Sequence, residues 1–245
     1  MKKIIQGDCL KVMKDIPDKS IDMVLCDLPY GTTACKWDTI IPFEPLWEQY
    51  KRIIKDNGAI VLTASQPFTS ALVMSNIKMF KYEWVWEKSH PTGFASSKYN
   101  PLKYHESVLI FADGKTKYNP QMTKGIPNHS MGKIVNGGSI QSDSSVNIKA
   151  VQSQQTEYKF PKSVQKFSNP RFKAMHPTQK PVALFEYLIK TYTNEVDLVL
   201  DNCAGSGTTG VACKNLNRNC ILIEKDEAYF KIIENRIKQT QEMML

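Results

Sequence analysis

Two stretches of this chain gather residue types that could do chemistry. The first is Asp27-Leu28-Pro29-Tyr30, which follows the apolar run 21–26. The Asp27 carboxylate can accept a hydrogen bond from an exocyclic amine, and the Leu28 carbonyl can accept a second. Pro29 stiffens the turn, and the Tyr30 ring could stack on a base drawn out of a helix. The plain alternative is a strand-to-turn junction, because Asp and Pro both favour turns. The second stretch is Asp201-Asn202-Cys203-Ala204-Gly205-Ser206-Gly207-Thr208-Thr209-Gly210, with Glu224 closing the next apolar run, 220–223. Gly205, Gly207 and Gly210 satisfy G-x-G-x-x-G, which lets a backbone approach a nucleotide while a carboxylate binds ribose hydroxyls. Such a turn can also simply let a helix pack on a strand. The strand, loop, helix and terminal Glu together favour the nucleotide.

Metal chemistry has no comparable signal. Cys9, Cys26, Cys35, Cys203, Cys213 and Cys220 form no C-x-x-C pair, and no His lies close enough to complete a zinc pattern. Six free thiols are expected, and no metal site.

Both chemical stretches need a scaffold that presents strand ends. Apolar runs at 3–5, 21–26, 59–63, 83–86, 107–111, 198–200 and 220–223 read as buried strands. Helical patterns at 43–55, 67–77, 181–192, 209–215 and 226–239 fall between several of them, with Asp226 as an N-cap. This alternation predicts an α/β fold with a doubly wound, mostly parallel sheet, and ligands at the carboxyl ends of its strands. The strands from 83 on lack helical connectors and are expected to pair antiparallel at one edge. Only 35 residues follow Gly210. The sheet must then be completed by strands from the N-terminal half, a circularly permuted order. An NAD enzyme would need a further mononucleotide half downstream, so a dehydrogenase is disfavoured.

The chain has 245 residues, enough for one domain with an insertion. A hydrophobic content of 42% with 23% charged residues excludes disordered and collagen-like classes, and no run approaches the ~18 apolar residues of a membrane span. A cytoplasmic protein is expected. The formal charge of +8 suggests a polyanionic partner. Residues 113–172 carry nine basic and three acidic side chains, whereas 1–112 carry 14 and 12, and 173–245 carry nine of each. The surplus therefore sits mainly in a middle segment rich in Ser, Gln, Asn and Gly.

In this order the motifs resemble those of the permuted β-class of amino-group DNA methyltransferases. Asp27-Leu28-Pro29-Tyr30 is similar to their D-P-P-Y motif, with Leu28 in place of the first proline, and Asp201-x-Cys203-x-Gly205-Ser206-Gly207 to their S-adenosylmethionine loop. Gly7-Asp8-Cys9-Leu10, Ala64-Ser65-Gln66-Pro67-Phe68, Tyr104-His105-Glu106 and His176-Pro177-Thr178-Gln179-Lys180-Pro181 resemble further family elements. The resemblance implies a Rossmann-like fold, with 1–112 and 173–245 as the catalytic and cofactor-binding domain and 113–172 as an inserted target-recognition region. It implies site-specific transfer of a methyl group from S-adenosylmethionine to N6 of adenine, by base flipping and direct in-line transfer, for restriction-modification. Asp rather than Ser at the first motif position leans towards adenine.

The residues implied in catalysis are Asp27, Leu28, Pro29 and Tyr30. Those implied at the cofactor are Asp8, Cys9, Thr178, Lys180, Asp201, Cys203, Ala204, Gly205, Ser206, Gly207, Thr208 and Glu224. Thr178 and Lys180 would lie near its carboxylate end. Lys98, Tyr99 and Arg171 are implied as DNA contacts. Trp84 and Trp86 are expected to pack in the core, and His90 and His129 to be solvated loop residues. The alternatives are a cytosine-N4 enzyme, a methyltransferase acting on RNA or protein amides, and a DNA-binding module without catalysis. Monomer and homodimer both stay open.

Overall fold

In the computed structural model the described residues are 2–33, 35, 38–126, 157–169 and 179–242. Their contacts separate two units, Met1–Asn119 with Lys162–Leu245, and Pro120–Pro161.

The first unit is built on an eight-stranded sheet. In chain order its elements are β1 (Lys2–Gln6), α1 (Cys9–Val12), β2 (Ile21–Asp27), α2 (Phe43–Ile53), β3 (Ile54–Ala64), α3 (Phe68–Ser75), β4 (Phe80–Thr92) and β5 (Lys103–Phe111). After two short strands of the second unit, β6 (Thr123–Lys124) and β7 (Tyr158–Lys159), come β8 (Val164–Phe167), α4 (Val182–Tyr192), β9 (Leu198–Asp201), α5 (Thr208–Asn215), β10 (Asn219–Glu224) and α6 (Glu227–Glu242). The strand order is β1-β10-β9-β2-β3-β5-β4-β8. The C-terminal strands β9 and β10 thus lie between N-terminal β1 and β2, as the permuted order requires.

The central strands read as continuous apolar runs because both of their faces are covered. Along β2, Ile21, Val24 and Cys26 join one buried cluster with Leu46, Tyr50 and Ile53 of α2 and Leu72 of α3. Met23 and Leu25 point into the other, against Leu184, Leu188 and Tyr192 of α4 and Ile233 and Ile237 of α6. β3 divides in the same way, with Ile60 and Leu62 on one face and Ala59 and Val61 on the other. β2 and β9 are parallel neighbours, pairing Met23 with Val199 and Val24 with Leu200. The chain leaves β2 towards β3 and leaves β9 towards β10, in opposite directions along the sheet. A crevice therefore opens where their carboxyl ends adjoin.

The antiparallel edge is present: β5 runs against β3 and β4 against β5. Two details differ from the sequence expectation. β4 spans 13 residues rather than the apolar core 83–86, because its polar continuation Glu87–Thr92 still pairs with β5 and β8. His90 consequently lies in a strand and not a loop, its backbone bonded both ways to the Asn169 side chain at 3.1 Å. β8 adds a parallel strand beyond β4 although its sequence, VQKF, is short and half polar. Trp84 and Trp86 are buried as expected. Trp84 Nε1 donates to the Tyr192 hydroxyl, and Trp86 Nε1 to the Phe167 carbonyl on β8.

The second unit falls inside the basic segment 113–172. Its β6 and β7 pair antiparallel, with Gly125 N donating to the Glu157 carbonyl at 2.7 Å and Lys124 facing the Glu157 carboxylate at 3.5 Å. His129 lies outside the described residues.

Candidate active site

A cleft of about 1120 Å³ opens at the carboxyl ends of β1, β10, β9, β2 and β3. This exceeds the roughly 300–1,000 Å³ of a typical single-ligand pocket.

One end is nucleotide-like. The turn from β9 into α5 brings Asp201, Asn202, Cys203, Ala204, Gly205, Ser206 and Thr208 to the cleft wall. Gly205 adopts φ +52°, which an L side chain resists, and its N–H donates to Glu224 Oε2 at 2.7 Å. Glu224 ends β10, and Oε1 accepts from the Asp226 N–H at 2.8 Å. Burial raises the Glu224 carboxyl above its usual range despite these donors. Asp8 caps α1, accepting from Leu10 N–H at 3.1 Å, and borders the same wall with Cys9. The Cys203 thiol accepts from Asn202 Nδ2 at 3.5 Å. Tyr50, buried in α2, donates to Asn202 Oδ1 at 2.6 Å and so pins the loop from below. Asp201 is buried, accepting from Cys203 N–H at 3.1 Å and from the Thr209 hydroxyl. Its burial pushes the carboxyl up to about 7.

The glycines divide by role. Gly205 faces the cleft. Gly207 takes φ +79° with Ile233 of α6 within 3.1 Å of where a Cβ would stand. At Gly210 a Cβ would meet Leu222 Cδ1 at 2.6 Å and Ile237 Cδ1 at 2.9 Å. Gly207, expected at the cofactor, and Gly210 both allow the close packing of α5 on β10 and α6.

The other end of the cleft belongs to the end of β2. Asp27 pairs in register with Thr63 of β3, whose hydroxyl donates to Asp27 Oδ1. The Tyr30 hydroxyl donates to the same oxygen at 2.7 Å. Lys180 Nζ donates to Oδ2 at 2.6 Å. Lys180 also lies 3.4 Å from Glu106 Oε2, and Lys88 lies 2.5 Å from Glu106 Oε1. Burial would raise the Glu106 carboxyl, but the two ammonium groups outweigh it and hold the carboxyl below its usual range. Burial opposes the charge on Lys180, and Asp27 and Glu106 overcome it and raise its amine. The Tyr30 ring stacks on Phe68 at 5.1 Å, with Lys180 Nζ 5.5 Å from its centroid. After the motif, Asp38 accepts from the N–H groups of Gly31, Thr32 and Thr33 at 2.7 to 2.9 Å and folds the chain back over the strand end.

Most residues singled out from the sequence meet in this cleft. Lys180, implied beside the cofactor's carboxylate, is paired with Asp27 and Glu106. Lys98 and Tyr99 are exposed, Tyr99 at 86%, and are not among the residues lining the cleft. Thr178 and Arg171 lie outside the described residues. Sequence reasoning missed Thr63, Lys88 and Asp38. Thr63 was legible only as the end of an apolar run, because its tie to Asp27 comes from strand register. Lys88 and Asp38 carried no local signal.

A family model described as a DNA methylase, of the N6 and N4 amino type, matches residues 21–235. The chain belongs to that DNA methylase family. This methylase is 29% identical to the type II methyltransferase M2.MboI of Moraxella bovis, over 95% of this chain and 86% of that protein. It is 26% identical to M.HpaI of Haemophilus parainfluenzae, over 96% and 74%. The fold matches the crystal structure of the M1.HpyAVI–SAM complex with a TM-score of 0.64 at 24% identity, covering 96% of this chain and 100% of that one. It matches the cytosine-N4-specific PvuII DNA methyltransferase at 0.67 and 16%, covering 95% and 85%. The permuted, Rossmann-like α/β fold is therefore shared with known DNA methyltransferases. All six cysteines are free, and among the described residues no group of His, Cys, Asp and Glu could hold a metal ion. No helix among the described residues is long and apolar enough to cross a membrane.

Proposed function

We propose that this DNA methylase transfers a methyl group from S-adenosylmethionine to N6 of adenine at a specific site in duplex DNA. The observation that carries the reading is the cleft that joins the fixed Asp27 carboxylate to a nucleotide-type loop closed by Glu224.

The residues present suit S-adenosylmethionine. Glu224 and Asp8 offer carboxylates for ribose hydroxyls and for the adenine amine, while the Gly205 turn lets backbone approach without a side chain in the way. When bound, S-adenosylmethionine supplies an electrophilic methyl group. The protein's part is to present the nitrogen. That nitrogen is a poor nucleophile because its lone pair is delocalised into the ring. Asp27 and the Leu28 carbonyl, held on a rigid strand end, accept its two N–H bonds and favour a tetrahedral geometry. Alignment then supplies much of the acceleration; as the N–C bond forms the methyl–sulfur bond would break, S-adenosylhomocysteine would leave, and one amine proton would pass by way of the Asp27 hydrogen bond to solvent.

Target selection falls to the basic segment 113–172 in this reading, with Lys side chains on phosphates and Arg171, Asn and Gln on base edges. The type II relatives support a modification role in a bacterial or phage-encoded restriction system, in the cytoplasm. The test is incubation of duplex DNA with labelled S-adenosylmethionine, followed by nucleoside analysis. Label in N6-methyladenine is expected. Label only in N4-methylcytosine would reassign the base, and label in no nucleoside would reject methyl transfer to DNA.

A further inference from the structure

Four charged side chains from four separate parts of the first unit meet beside the strand end: Lys88 of β4, Glu106 of β5, Lys180 ahead of α4, and Asp27 of β2. They alternate in sign along the path Lys88–Glu106–Lys180–Asp27, with separations of 2.5, 3.4 and 2.6 Å. Both lysine side chains are only 6% exposed. The formal charges cancel, so no member can be removed without leaving a buried charge uncompensated. The two buried lysines lie beside the proposed catalytic carboxylate and belong to neither apolar cluster of the core. Their placement against the catalytic carboxylate points to a role in the reaction.

The geometry of Asp27 says what that role is. A carboxylate offers two acceptor directions on each oxygen. The Tyr30 and Thr63 hydroxyls both donate to Oδ1, and Lys180 donates to Oδ2. One acceptor direction is left on Oδ2, beside the ammonium group. We propose that Lys180 is the positioning residue of Asp27, holding the carboxylate so that Oδ2 accepts the target amine, and that Glu106 with Lys88 holds Lys180 in place. Glu106 Oε2, buried and without a hydrogen bond, faces Lys180 as a counter-charge that the amine does not consume. In this arrangement Lys180 acts on the catalytic carboxylate and not on the cofactor.

The inference rests on the methyl-transfer reading but not on the choice of base: transfer to cytosine N4 would leave it standing. The experiment measures single-turnover transfer at saturating S-adenosylmethionine and DNA, together with S-adenosylmethionine affinity, for Lys180→Met, Glu106→Gln and the double variant, against active wild type. Lys180→Met is expected to lower the saturated rate about 100-fold or more, as small misplacements of a catalytic group do, with cofactor affinity within about three-fold. Glu106→Gln is expected to lower the rate about ten-fold alone and to add almost nothing to Lys180→Met, because the pair acts as one unit. A Lys180→Met variant that binds the cofactor weakly yet keeps its saturated rate would overturn the proposal and place Lys180 at the cofactor. Independent, additive losses would overturn it too. If Lys180→Met fails to fold, Glu106→Gln decides alone, and an unchanged rate refutes the positioning role.

Discussion

At the residue scale, the role proposed for Asp27 rests on the oxygens that its neighbours fix. Asp27→Ala removes the proposed acceptor for the amine and leaves Lys180 with Glu106 as its remaining partner. Transfer should fall by at least about 10³-fold, with S-adenosylmethionine affinity within a few-fold. Equal loss of rate and cofactor affinity would show that Asp27 belongs to both sites. Asp201 yields a prediction of a different kind. Burial pushes it up to about 7 in the folded chain, whereas an unfolded Asp titrates near about 3.9. Between those values the native state holds a proton that the unfolded state has released, so raising the pH costs stability. The penalty is absent below about pH 4, grows through the interval and levels off above about 7, at a ceiling on the order of a few kcal/mol. Urea midpoints should therefore fall more between pH 5 and pH 8 for wild type than for Asp201→Asn. Parallel pH profiles would mean that Asp201 is ionised throughout.

At the element scale, β9, the turn and α5 form one device whose glycines have separate jobs. The pattern G-x-G-x-x-G announced a nucleotide loop, and only its first glycine lines the cleft. Gly210→Ala forces a methyl against Leu222 and Ile237, a buried overpacking that should cost about 1–3 kcal/mol. Gly207→Ala adds the strain of a positive φ, on the order of 1–3 kcal/mol. Both losses should appear in thermal melts without cofactor. A Gly210→Ala protein with wild-type stability but weakened cofactor binding would return that glycine to the ligand. The sheet edge teaches a related lesson. Alternation gave the core of β4 but not its polar extension, since Glu87, Lys88 and Thr92 sit in a strand only because β5 and β8 supply partners.

At the scale of the whole molecule, the surplus charge lies in a different stretch of the sequence from the proposed catalytic motif. The four charges beside Tyr30 are balanced, two lysines against two carboxylates, whereas the segment 113–172 holds nine basic residues against three acidic ones. If that segment binds the DNA phosphates, replacing Lys124, Lys159 and Lys162 with Gln should weaken DNA binding and lower the salt slope by about one for each phosphate no longer neutralised. S-adenosylmethionine affinity should not move. Binding titrations from low to moderate salt check this, and an unchanged slope would take these lysines out of the interface.

By itself the sequence determined the fold class, the permuted strand order and the two chemical strand ends. Those properties are local: an apolar run buried on both faces, a glycine turn and a short motif announce themselves within a few residues. Only the tertiary structure decided the partners of Asp27. Thr63 reaches it through parallel register, Lys180 from 153 residues away, and Glu106 and Lys88 from the antiparallel edge. Such charges carry no periodicity and no spacing rule. Their meeting is set by how far each strand runs past its neighbour, and that is fixed when the sheet assembles.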